Sequence, residues 1–417
     1  MSNDYKNFID KHGKNFCVLP FTEIANTAQG NAMLCCYSET VDASAYPEKG
    51  FLQGWKDSKG INRARKNMLN DKPTKHCRRC YEYENSGAYN MSKRYVSVQK
   101  YEKEYPELIK KIKNNGYLEL KTLDIKFGNK CNLACIMCDG YSSSLHIKEK
   151  EQHKVPKHLK QFIPTNAHYQ DFTKDQLEEL LSVANKIIKI KFTGGEPTLL
   201  EGFREFVNRL SQTEYAKNIS IMMVTNGTTD LIKMVDIMSK FKKYEIHWST
   251  DGIESTYEYI RWPAKWDKVK SNQFTFNSYI KSKGYNTIKS VLTSAIQLLN
   301  VNQLPDLIRY TDENYFDEFI PVLVMWPTPL DLSIVPKSIK QTIINNTLPL
   351  IKDSTKFSFV SEFIEIIKKR TALQTFSITK DFLSYYDKAR GYSAEKMCPI
   401  INEIQDTIDS TYKDTLF

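Results

Sequence analysis

The chain has 417 residues, 41% of them apolar and 12% aromatic, enough for two or three domains and a large buried core. No apolar run approaches the roughly 20 residues of a membrane span, and the opening MSNDYKNFIDKHGK has no apolar signal-peptide core, so a cytoplasmic protein is expected. The net charge is +10, but the lysines are interleaved with acids, as in YEKEYPELIKKIKNN. Solvated faces follow, rather than a nucleic-acid partner or a membrane surface.

Residues 1–95 are rich in Cys, Gly, Tyr and Arg with little periodicity, and read as a small metal-stapled domain. Residues 96–116 read as a helical connector. A repeating grammar then fills 117–326. Strands are expected at Lys121–Phe127, Lys186–Phe192, Asn218–Val224, Tyr244–Thr250, Asn286–Leu292 and Phe319–Met325. Helical patterns lie between them: TKDQLEELLSVANK, opened by a capping-box spacing of Thr173 and Gln176, then LLEGFREFVNRLSQ, DLIKMVDIMSKF and LPDLIRYTDEN. Such alternation implies an α/β fold with parallel strands and right-handed crossovers, as an open doubly wound sheet or a partial barrel. Chemistry then belongs at the C-terminal strand ends. Residues 327–417 read as a proline-punctuated, then helical, C-terminal extension.

Nine cysteines stand at 17, 35, 36, 77, 80, 131, 135, 138 and 398. Clustered cysteines in a reducing compartment bind metal or do redox chemistry. GNKCNLACIMCDG places Cys131, Cys135 and Cys138 in a C-x3-C-x2-C loop directly after the first expected strand. Three thiolates can hold three corners of an iron–sulfur cube and leave one iron open. A zinc site completed by His146 or a remote residue, or three unrelated thiols, are the other readings.

Three further segments end later strands. FTGGEPTLL brings Gly194, Gly195, Glu196 and Pro197: two glycines that let a backbone approach a ligand, and a carboxylate able to accept from an ammonium. VTNGT brings Thr225 and Asn226. WSTDG places Ser249 and Asp251 two residues apart, on one face of a strand, where they could hold a ribose or an amino acid. Each segment alone is equally compatible with an ordinary strand-end turn.

Together these motifs resemble the radical S-adenosylmethionine (SAM) superfamily over Lys121 to about Trp326. DGIESTYEYIRWPAKWDKVKSN is also similar to the helix after the fourth strand there. The resemblance implies a partial (β/α)6 barrel and a 4Fe-4S cluster on Cys131, Cys135 and Cys138. The open iron would chelate SAM, with Gly194, Gly195 and Glu196 orienting its methionine part and Ser249 its ribose or carboxylate. One electron, from a flavodoxin- or ferredoxin-type reductase, would yield a 5′-deoxyadenosyl radical that takes hydrogen from the substrate. Met137 stands where many members have an aromatic residue near adenine.

The N-terminal spacing C-x12-G-x4-C followed by C-x2-C resembles the twitch or SPASM auxiliary-cluster modules of the same superfamily, here placed N-terminally. The resemblance implies a second 4Fe-4S cluster on Cys17, Cys35, Cys77 and Cys80. Zinc on the same thiolates, or with His76 substituting, is the other reading. Cys36, next to Cys35 in extended chain, would face the opposite side. Cys398 reads as a buried thiol. Tyr81, Arg94 and Tyr95 read as packing for this module. The expected function is a radical SAM enzyme, with a peptide as the favoured substrate. A small metabolite or nucleotide is the alternative substrate, and a non-enzymatic metal-binding scaffold the alternative class.

Overall fold

The structure, a computed structural model, describes residues 3–352, 354–370 and 376–414. Nine strands form in chain order: β1 (Glu23–Asn26), β2 (Ala32–Met33), β3 (Thr40–Asp42), β4 (Thr122–Lys126), β5 (Lys189–Thr193), β6 (Ser220–Thr225), β7 (Lys243–Ser249), β8 (Ile288–Ile296) and β9 (Glu318–Leu323). Their order is β3-β2-β1-β4-β5-β6-β7-β8-β9, an open, mostly parallel sheet rather than a closed barrel. The chain divides into two compact units: Met1–Asn129 with Gln170–Val224 and Asp236–Glu245, and Lys130–Tyr169 with Thr225–Val235 and Ile246–Phe417.

In the first unit the cysteine-rich segment extends the sheet instead of standing apart. β1 pairs parallel with β4, Glu23 opposite Thr122 and Ala25 opposite Asp124. β2 and β3 follow antiparallel. β4, β5 and β6 are parallel, with Leu123, Ile190 and Ile221 in one row and Ile125, Phe192 and Met223 in another. These two rows are at most 1% exposed. Phe127, Phe192, Phe203 and Phe206 interlock beneath them at centroid separations of 5.0–6.4 Å. The helix Lys174–Ser182 starts at the capping box the sequence predicts, Thr173 and Gln176 exchanging both bonds. The connector is two helices, Lys93–Glu104 and Pro106–Asn115, broken at Tyr105 because Pro106 starts the second.

The second unit pairs β8 with β9 in parallel, Val291 opposite Glu318 through Ile296 opposite Leu323. Trp248 is fully buried, donates to Ser290 Oγ at 2.9 Å and meets the Phe276 ring edge-on at 5.5 Å. The C-terminal region is helical, with Lys337–Thr347, Ser358–Lys369, Phe376–Arg390 and Ile400–Asp414 as its main helices. Among the described residues, no helix is long and apolar enough to cross a membrane.

Several boundaries differ from the sequence reading. Lys186–Ile188 are not strand, because Ala184–Lys186 close a 3-10 turn first. DLIKMVDIMSKF makes only a 3-10 turn and the short helix Val235–Met238. β8 runs four residues past Leu292, to Ile296.

Candidate functional site

The three-cysteine loop lies in the second unit, and hydrogen bonds pin it from several sides. Ala134 N–H donates to the Trp262 carbonyl at 2.7 Å and Ile136 N–H to that of Ile260 at 2.8 Å. The loop thus adds backbone pairing to the end of the helix Glu254–Ile260. Arg390 donates to the Ala134 carbonyl at 2.6 Å, and His146 Nε2 lies 2.8 Å from the Cys135 carbonyl.

Donors surround the sulfurs. Leu133 N–H stands 3.5 Å from Cys131 Sγ and the Asn226 amide 3.9 Å from it. The Arg261 guanidinium is 3.8 Å from Cys135 Sγ. Burial pushes the Cys135 thiol up, and Arg261 pulls it back. Burial, with Asp139 and the neighbouring thiols, pushes Cys138 well up. Loading a metal here therefore releases protons, and cationic or N–H donors stabilise the thiolates once formed. The donor set fits an anionic iron–sulfur centre.

His146 is not available to complete a zinc site. It is fully buried, with Nε2 on the Cys135 carbonyl and Nδ1 3.4 Å from Glu149. Among the described residues, no three His, Cys, Asp or Glu side chains are arranged to grip a single ion. Thiolates on separate corners of a cube stand wider apart than ligands of one zinc.

Asp251 takes a different place from the one its sequence position suggests. It is fully buried, forms an ion pair with Arg261 at 2.7 Å and accepts from Ala295 N–H at 2.6 Å. Its carboxylate is committed to aiming Arg261 at Cys135 rather than to a ribose. Arg261 lies ten residues on, inside the DGIESTYEYIRWPAKWDKVKSN segment, but nothing in its spacing marked it as the partner of Asp251. Ser249 and Met137 are half-buried. Thr225 accepts from Gly227 N–H at 3.2 Å, and Asn226 also donates to Asn132 Oδ1 at 2.9 Å.

The GGEP segment lies in the first unit. Gly194 has φ +116°, and a Cβ there would meet Gly128 O and Lys126 Cβ at 3.0 Å, so only glycine fits. Gly195 N–H donates to Gly128 O at 3.1 Å. Glu196, 1% exposed, caps the 3-10 turn Pro197–Leu199 by accepting from Thr198 N–H at 3.2 Å and Thr198 Oγ1 at 2.8 Å.

The same unit gathers the N-terminal thiols from separate elements. Burial, then Cys77 and Cys80, push Cys17 well up; burial, Cys36, Cys80 and Cys17 act likewise on Cys35. Cys17, Cys35, Cys77 and Cys80 are thus electrostatic neighbours. His76 instead stands 4.0 Å from Glu39. Arg94 braces the group: buried, it pairs with Glu84 and donates to the Phe16 carbonyl at 3.3 Å, while Tyr5 donates to Glu84 at 2.7 Å. Tyr95 is buried and Tyr81 Oη accepts from Thr74 N–H at 3.3 Å, so both pack the module. Cys398 is fully buried beside Thr256.

Residues 125–307 match the family model of the radical SAM superfamily. The radical SAM cyclopropyl synthase TigE of Paramaledivibacter caminithermalis is 24% identical over 232 residues, 52% of this chain and 48% of that protein. The GTP 3′,8-cyclase of Aquifex aeolicus is 30% identical over 108 residues, 26% of this chain and 28% of that protein. The matches thus span about half or less of these relatives. The solved structure of Streptococcus suis SuiB bound to precursor peptide SuiA is 15% identical, covering 74% of this chain and 65% of that one, with a TM-score of 0.42.

Proposed function

We propose that the chain is a radical SAM enzyme that modifies a peptide and uses an auxiliary iron–sulfur cluster. The carrying observation is the three-thiol loop, whose sulfurs are met by Leu133 N–H, Asn226 and Arg261. Cys131, Cys135 and Cys138 would hold the cluster, and Cys17, Cys35, Cys77 and Cys80 the auxiliary one. When bound, the cluster and SAM supply a 5′-deoxyadenosyl radical that takes a hydrogen atom from the substrate.

The chain's own residues supply position. Arg261, fixed by Asp251, places a positive charge beside Cys135, and Arg390 and His146 hold the loop carbonyls. Gly194, Gly195, Glu196 and Pro197 are assigned to the methionine part of SAM, Ser249 to its ribose or carboxylate, and Met137 to an apolar contact with adenine. Thr225 and Asn226 shape the wall next to Cys131. A flavodoxin- or ferredoxin-type protein would supply the electron. In functional terms residues 1–95 form the auxiliary module, 117–326 the core and 327–417 a helical cover.

A peptide is favoured because one sheet face of the first unit combines ammonium donors with buried carboxylate acceptors, the mix that backbone and side-chain groups of a peptide satisfy. The test is anaerobic reconstitution, followed by dithionite reduction with SAM. Formation of 5′-deoxyadenosine that Cys135→Ala abolishes is the expected result. Cleavage that survives in Cys135→Ala overturns the reading. A mass change in a small peptide encoded beside the chain identifies the substrate class.

A further inference from the structure

In a parallel sheet covered on both faces, strands read as near-continuous Val, Ile and Leu. The first unit obeys this on one face only. On the other, the row Glu23–Thr122–Lys189–Ser220 is followed by Ala25–Asp124–Lys191–Met222, and then by Lys126 opposite Thr193. Lys93, from the helix Lys93–Glu104, interacts electrostatically with Glu23, Asp124, Lys189 and Lys191, and so belongs to the same group. Charges cost too much to bury without a purpose or a partner.

Two features show that the group is incomplete. The cations are in surplus. Lys93, Lys126 and Lys191 face Glu23 and Asp124, while the acid that acts on Lys189 is Glu245, itself paired with Lys243 at 2.6 Å. Among the described residues, no hydrogen bond or ion pair holds the Lys93 or Lys189 ammonium. The acceptors are also unsatisfied. Asp124 is fully buried; the Cys36 thiol bonds to it, but neither oxygen meets an N–H or O–H donor among the described residues, its nearest cations being Lys191 at 3.5 Å and Lys126 at 3.9 Å. Glu23 Oε1 is likewise buried without a donor. Lys126 and Lys191 still keep 16% of their side chains exposed, and Lys93 and Lys189 are half-buried, so the face is open to a ligand.

We propose that this face is a subsite for a carboxylate-bearing peptide segment, the carboxylate seated on Lys93, Lys189 and Lys191 and a peptide N–H directed to Asp124. The assignment rests on the peptide reading above and adds the charge of the substrate to it. Surplus ammonium groups call for an anion, and the carboxylate oxygens that meet no N–H call for a donor, although Glu23 Oε2 already accepts from Thr122 Oγ1 at 3.2 Å. A peptide segment carries both, whereas a phosphate dianion brings no donor. The carboxylate comes from an acidic side chain or from the peptide's own C-terminus.

Binding of fluorescein-labelled peptides to the reconstituted full chain tests this by anisotropy at physiological salt. The probes are an octapeptide with three central Glu residues and its Gln counterpart, each with a free and an amidated C-terminus. The expected result is at least about ten-fold tighter binding of the Glu peptide, falling to under about three-fold in Lys189→Met and Lys191→Met and restored in Lys191→Arg. A preference that follows the free C-terminus instead supports the same subsite with the other carboxylate source. Circular dichroism and iron content confirm that each variant is folded. Equal binding of all four probes, no binding of any, a preference unchanged in both Met variants, or inorganic phosphate displacing the Glu peptide while free glutamate does not, overturns the assignment. SAM cleavage without peptide reports separately on the enzyme reading, so the two can fail independently.

Discussion

Replacing Lys189 by Met should make the protein more stable at neutral pH and less so, relative to wild type, in alkali. Burial, with the repulsion of Lys93 behind it, lowers the Lys189 ammonium from its ordinary 10.5 to about 8. The folded chain therefore disfavours the proton that the unfolded chain keeps. The penalty is fully present below pH ~8 and fades as pH rises toward ~10.5, because between these values the unfolded state binds more protons. A shift of this size corresponds to about 3 kcal/mol, and solvent reaching this half-buried side chain reduces it to about 1–2 kcal/mol. Met keeps the stem's volume and removes the charge. Urea unfolding of the wild type and Lys189→Met at pH 7 and pH 9.5 measures the gap. The midpoint should rise in the variant at pH 7, and the advantage should shrink to about half or less at pH 9.5. A variant that is less stable at pH 7, or a gap independent of pH, would refute the reasoning.

Arg390→Met strips a buried pair with Glu149, whose oxygens lie 2.7 and 3.2 Å from the guanidinium, and frees the Ala134 carbonyl. A loss of about 2–4 kcal/mol in urea unfolding is expected, less than for an isolated pair because Lys150 stays 2.9 Å from Glu149. Burial opposes ionisation of Glu149, but His146, Arg390 and Lys150 hold it well below the usual carboxylate range. Its contribution is thus complete above pH ~4.5 and lost as pH falls below that, so wild type and Glu149→Gln should converge in acid. Asp251→Asn leaves the Arg261 guanidinium buried without its counter-ion; a drop of about 2–4 kcal/mol is expected, and an unchanged urea midpoint contradicts the pairing. Gly194→Ala should cost more than about 1 kcal/mol by thermal unfolding, since φ is +116° and the new Cβ meets Gly128 O at 3.0 Å. Cys35→Ala should lose about half of the bound iron while Cys36→Ala retains it, measured by iron assay after reconstitution; the reverse would show that the ligand is Cys36.

Much of the parallel core was legible because period-2 alternation and strand-end glycines are local signals. All six core strands form, and the Thr173 capping box forms as spaced. β1, β2 and β3 were not legible. They have four, two and three residues, and β1 is buried along its length, so no alternation marks it. What makes Glu23–Asn26 a strand is β4, about a hundred residues away, including the Asn26 side chain, which donates to the Lys126 carbonyl at 2.9 Å. The cysteine loop was visible as a spacing, but its supports were not. Arg261, Arg390 and His146 reach it from 11 to 256 residues away in sequence, where no motif links them.

The adjacent cysteines have different surroundings. Cys35 is an electrostatic neighbour of Cys80 and Cys17, whereas Cys36 is a neighbour of Asp124, Lys191 and Lys93. The sequence expectation of extended chain does not hold here: Cys35 and Cys36 lie in a bend and turn that follow β2, closed by Ser38 N–H donating to the Cys35 carbonyl at 3.0 Å, and it is this turn that gives the two thiols different neighbours. The two faces are therefore separated by little more than the backbone at Cys35–Cys36. Any ligand seated on Lys191 lies one residue from a proposed cluster ligand, and its charge acts on that cluster through a short, water-poor path. The lysines then have a second consequence beyond recognition. Their positive field would favour the reduced, more negative state of an iron–sulfur centre held at the proposed site, and an arriving carboxylate would weaken that field. With the auxiliary cluster and the peptide subsite both as proposed, substrate charge and cluster potential would be coupled through two consecutive residues.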